Sequence, residues 1–132
     1  MSKSIYSNID KKEKRAYRKM YRKHRKEMIR LAKEDRDFDW GYLHDLVITK
    51  IKHMYEYYHD GNNVMQTDET RIPILDQLSY ILELQYDIDH LYDDEKYAKY
   101  SVEEATSLWK KESELYKSIY TFIGEHLEEW WD

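Results

Sequence analysis

At 132 residues without a cysteine, the chain has the size of one ordinary domain, and both a disulfide framework and a thiolate site are excluded. Hydrophobic residues (41%) and charged residues (37%) interleave, with only three glycines and one proline, a composition of long amphipathic helices and not of disorder. The net charge of −5 hides a division: residues 1–33 carry 13 basic and 3 acidic residues, whereas residues 34–132 carry 9 basic and 24 acidic ones. No apolar run approaches the roughly 20 residues of a membrane span, and the N-terminus lacks the apolar core of a signal peptide. A soluble protein that stays in a reducing cytoplasm is the expectation.

Helical periodicity and caps predict four helices, over about 11–34, 39–59, 69–92 and 101–130. In the first, Asp10 and Glu13 have the spacing of a capping box, and Tyr17, Met20, Tyr21, His24, Met28 and Leu31 form a narrow apolar stripe flanked by lysine and arginine. The second opens at Asp39, with Phe38 and Leu43 at the two positions of a hydrophobic staple. Its expected core seam is Trp40, Leu43, Val47, Ile51, Met54 and Tyr58. Gly61 suits a left-handed cap, followed by a loop over Asn62 to Gln66.

The third helix carries Ile74, Leu78, Ile81, Gln85 and Ile88, widened by Leu75 and Leu82; Pro73 is expected within its first turn. An acidic connector over Asp93 to Tyr100 leads to Ser101-Val102-Glu103-Glu104, a capping box that opens the fourth helix. There Leu108, Leu115, Ile119, Phe122, Ile123, Leu127 and Trp130 make the core face. Short connections between helices of similar length predict an all-α, antiparallel four-helix bundle. A three-helix core with the basic first helix projecting away is the alternative, because that helix has the narrowest stripe.

Several residue sets bear on function. Glu56-x-x-His59 and Asp87-x-x-His90 have the spacing of di-iron carboxylate helices, but in an antiparallel pair they lie on the order of 20 Å apart. His44, Asp87 and His90 fall at a similar level and are the weak metal candidates left; solvated helix-end residues are the plainer reading. The doublets His44-Asp45 and His59-Asp60 lack the further ligands a metallophosphohydrolase needs, and Glu103-Glu104 and Glu128-Glu129 do not continue into a magnesium-binding run. No phosphate loop or nucleophile elbow is present. No enzyme, metal or cofactor is therefore expected.

Arg18, Lys19, Arg22, Lys23, Arg25, Lys26 and Arg30, interleaved with Tyr17 and Tyr21, suit phosphate contacts and base stacking in a nucleic-acid-binding helix. The alternative is a helix whose charges face the acidic remainder of the same chain. Glu83, Asp87, Asp89, Asp93, Asp94 and Glu95, set near Tyr92, form a candidate acidic face that mimics a nucleic-acid backbone toward a basic protein partner; solubility alone would also explain it. Trp130 and Trp131 stand about 100° apart on a helix, so at least one is expected at a rim or a partner contact.

The segment Asp39-Trp40-Gly41-Tyr42-Leu43-His44-Asp45-Leu46, continuing to Lys50, Lys52 and Met54, together with the terminal Trp130-Trp131-Asp132, resembles small proteins of no settled activity encoded by tailed bacteriophages. The resemblance covers roughly residues 38–58 and the last few residues; the basic first helix lies outside it. It implies a phage product acting in the cytoplasm of a host bacterium. The combined expectation is a non-enzymatic accessory protein that binds a protein partner, blocking a defence or nucleic-acid-processing enzyme. Nucleic-acid binding through the first helix is the alternative, a metal-dependent enzyme the third reading, and the charge division also allows self-association.

Overall fold

A computed structural model describes residues 11–60, 67–92 and 99–131, with side chains from Arg15 onward. The described residues are all-α. Four helices follow in order, α1 (Lys11–Lys33), α2 (Trp40–His59), α3 (Asp68–Asp89) and α4 (Val102–His126), and a short 3-10 turn, Leu127–Glu129, follows α4. The expected Asp10 cap, Gly61, the 62–66 loop, Asp93, Asp94, Glu95 and Asp132 lie outside the described residues.

Local chemistry accounts for the starts. Asp39 caps α2 by accepting a hydrogen bond from the Gly41 amide at 2.8 Å. Glycine suits that position, since a Cβ there would stand 3.0 Å from the capping oxygen. The capping box at α4 forms as expected: the Glu104 amide donates to Ser101 Oγ at 3.1 Å, and the Ser101 amide donates to Glu104 Oε1 at 3.4 Å. At α3 the Thr67 carbonyl accepts from the amides of Thr70 and Arg71 at 3.1 and 2.8 Å.

Pro73 departs from expectation. It is the sixth residue of α3, just past the first turn. A proline cannot donate to the carbonyl four residues back, here that of Glu69. Both residues lie on the exposed side of the helix, where water reaches that carbonyl. The ends also differ slightly: α3 stops at Asp89 and α4 at His126, each about three residues early.

The chain divides within α3, between Leu78 and Ser79, into two compact units. In the first, α1 lies antiparallel on α2. Tyr17 meets Tyr57 edge-on at 5.9 Å, His24 reaches Glu56, and Glu27 reaches His53, so partner numbers fall on α2 as they rise on α1. The basic helix therefore does not project away from its neighbour. Met20, Leu31, Ile48, Ile51, Tyr58, Ile74 and Leu78 are the buried apolar residues of this unit. Arg71 of α3 donates to the Tyr58 carbonyl at 2.9 Å, satisfying an orphan acceptor at the end of α2.

The seam of α2 keeps the expected Ile51 and Tyr58 but is shifted by one residue in its first half. His44, Ile48, Ile51 and Tyr58 face inward, whereas Trp40 and Leu43 are 64% and 61% exposed and Val47 is half-buried. Phe38 is 89% exposed, so the expected staple with Leu43 buries neither residue. Trp and Leu are the more hydrophobic residues, but His44 takes the inner position.

In the second unit, Ile81, Ile88, Ile119 and Trp130 are buried, and Tyr80 of α3 packs on Phe122 of α4 with ring centres 4.7 Å apart. Trp130 is buried and Trp131 is 58% exposed, both beyond the 3-10 turn and outside any helix; Leu127, expected in the core, is exposed.

Candidate functional site: a histidine–glutamate cross-pair beside a basic helix face

The densest polar arrangement of the molecule joins α1 to α2. His24 and Glu27 lie three residues apart on one face of α1, and His53 and Glu56 repeat that spacing on α2. Because the helices run antiparallel, each histidine faces the other helix's glutamate. His24 Nε2 lies 3.0 Å from Glu56 Oε2, and His53 Nε2 lies 3.0 Å from Glu27 Oε2. A carboxylate only accepts, so in both bonds the imidazole Nε2–H is the donor. The two rings stack with centres 3.9 Å apart and planes 7° from parallel. Lys23 adds an ammonium 3.3 Å from Glu56 Oε1.

Burial and charge set the proton affinities. The bond from His53 holds the Glu27 carboxyl below its ordinary range, against partial burial. Glu56 is held down in the same way, first by His24 and then, against burial, by Lys23. His53 is buried; desolvation lowers its affinity for a second proton more than the Glu27 bond raises it, and His24 beside it adds to the lowering. The result is a buried His53 imidazole that resists a second proton, stacked on His24 between two carboxylates held ionised. No buried side-chain nitrogen or oxygen among the described residues lacks a hydrogen-bond partner.

The sequence carries this as a repeated His-x-x-Glu, the reverse of the Glu-x-x-His order that marks Glu56 and His59. His59 is exposed and pairs only 3.2 Å away with neighbouring Asp60. Among the described residues no three His, Asp or Glu side chains converge as a group that could hold a metal ion; His44 belongs to the first unit, Asp87 and His90 to the second. His44 is buried against Trp40, with ring centres 6.4 Å apart, and His90 donates through Nδ1 to the Tyr86 carbonyl at 2.8 Å.

Next to the cross-pair, Lys19, Arg22, Lys23 and Lys26 of α1 line an open groove of about 770 Å³ with Glu27, Glu56 and Asp60. The rest of the basic set is exposed as well. Within this set only Lys23 (with Glu56) and Arg30, which sits 3.7 Å from Glu34 on its own helix, form ion pairs among the described residues. Arg18, Lys19, Arg22, Arg25 and Lys26 thus have no described carboxylate within ion-pair distance. Tyr21 is half exposed with the Arg25 guanidinium 5.7 Å from its ring centre, and Tyr17 is half-buried on Tyr57. Of the acidic set, Glu83, Asp87 and Asp89 are exposed, Asp89 accepts from Gln85 at 2.8 Å, and Tyr92 is half-buried.

Fold and site together define an all-α protein in which a polar latch fastens a strongly basic helix to its neighbour. No helix among the described residues is long and apolar enough to cross a membrane. No protein-family model, curated protein or solved structure matches the chain.

Proposed function

We propose that this is a non-enzymatic interaction protein, a phage accessory product that works in the cytoplasm of its bacterial host by binding a protein. A defence or nucleic-acid-processing enzyme, inhibited by the contact, is the partner class that suits it. One observation carries the reading: Phe38, Trp40 and Leu43 stand 89%, 64% and 61% exposed within six residues at the start of α2. Large apolar side chains clustered on a surface mark contact sites, and tryptophan is prominent among interface anchors. Asp35, Asp37, Asp39 and Asp45 ring the patch. Partial burial raises the Tyr42 phenol, and the charges of Asp35 and Asp37 push it the same way. A partner with an apolar pocket and a positive rim complements this corner. The phage context comes from the resemblance of the same segment, Asp39 to Leu46, and the exposed Trp131 offers a second anchor.

The test is recovery of tagged chain from infected cells, wild type beside Phe38→Ala/Trp40→Ala. A stoichiometric protein that copurifies with the wild type and is lost with the double variant is expected. Equal recovery by both would refute the assigned contact.

A further inference from the structure

We infer that the outer face of α1 is a binding surface for the phosphate backbone of double-helical DNA, engaged without regard to base sequence. On α1 the buried and half-buried residues Met20, His24, Glu27 and Leu31 define the inner face. At 100° per residue the opposite side collects Arg15, Arg18, Arg22, Arg25, Lys26 and Lys33 around the exposed Ile29. Among the described residues none of these six cations has a carboxylate within ion-pair distance, so their charges are available to a ligand. Arg15 to Lys33 spans roughly 27 Å of helix, or about eight base-pair steps, and an α-helix fits the major groove of B-form DNA.

The residue types on α1 separate this ligand from others. The helix contains no Asn, Gln, Ser or Thr, so bidentate contacts to adenine are missing and arginine on guanine is the one strong base contact left, while the row of cations serves the phosphates. Single strands are held by stacking bases on aromatic rings. The outer face has none: Tyr17 is half-buried, and Tyr21 lies at the margin beneath Arg25. The deep, narrow major groove of A-form RNA does not admit the helix. With a net charge of −5, the whole protein does not attract DNA indiscriminately, which makes binding assignable to this face.

Fluorescence anisotropy of the full chain with a labelled 16-base-pair duplex, titrated from 20 to 200 mM salt, tests the surface. Four to six neutralised phosphates give a slope of log affinity on log salt of roughly −4 to −5. Arg18→Gln/Arg22→Gln/Arg25→Gln keeps helix propensity and should shrink that slope by about 2.7. Lys26→Gln/Lys33→Gln, an independent variant should the first unfold by circular dichroism, should shrink it by about 1.8. Failure to bind duplex at 20 mM salt, a slope unchanged in a folded variant, or equal or tighter binding of single strands or duplex RNA would each overturn the assignment. Phe38→Ala/Trp40→Ala should leave duplex binding unchanged, so this surface and the proposed protein contact fail or succeed separately.

Discussion

The cross-pair predicts an asymmetry between removing one partner and removing both. Glu27→Ala deprives the His53 Nε2–H of its acceptor, and the His53 side chain is only 5% exposed. A buried donor stranded in this way costs about 1–3 kcal/mol, whereas removing both partners together can be nearly neutral. The equivalent Glu56→Ala leaves His24 at 13% exposure, nearer to water, and releases the exposed Lys23 to solvent. Its cost should be smaller, about 1 kcal/mol or less. The assay is urea unfolding of four proteins at pH 7.5: wild type, Glu27→Ala, His53→Leu and the double variant. The double variant should be less destabilised than the sum of the singles by more than about 0.5 kcal/mol, the signature of a direct pair. Additive values, or a Glu56→Ala cost above that of Glu27→Ala, would refute the latch as drawn.

Acid should loosen the same contact. Burial lowers the folded-state affinity of His53 below its ordinary value of 6.5, so the unfolded chain takes up the proton first. That stability is complete above pH 6.5 and is lost as pH falls from there through the lowered folded value. Glu27 and Glu56 are also lowered, from 4.5, and their contribution is lost further down, as pH falls through their folded values. Melting temperature should therefore decline from pH 7.5 to 5 and again below about 4.5, and His53→Leu should remove the first step and, by freeing Glu27, shrink the second. Trp130→Ala should cost about 3–5 kcal/mol in chemical unfolding, whereas Trp131→Ala, at an exposed position, should cost under about 1. Ser101→Ala removes the acceptor for the Glu104 amide and should cost about 1 kcal/mol, read by the same method.

Helix existence and helix starts were legible because their causes are local. Apolar residues recurring every three or four positions, Asp39 before α2, and Ser101 with Glu104 before α4 act through backbone groups within one turn, so neighbouring letters suffice. The inward Ile74, Leu78, Ile81 and Ile88 of α3 were legible for the same reason. The charge division was equally plain, and with it the candidate basic surface of α1.

Which face of α2 turns inward was not legible. A stripe containing Trp40 and Leu43 and one containing His44 and Ile48 differ by a single position, and hydrophobicity alone prefers the first. The choice depends on what lies opposite. His53 is stable in a buried position only because Glu27, twenty-six residues away, accepts its hydrogen bond and His24 covers its ring. The cost of burying a polar ring is decided by a partner that no local pattern names. Likewise, the sequence counts the charges of α1 but does not say that Lys23 reaches Glu56 on α2 while Arg18, Arg22 and Arg25 stay exposed. Local hydrogen bonding and periodicity determined the helices; tertiary packing decided which polar groups were joined between α1 and α2 and which charges stayed exposed.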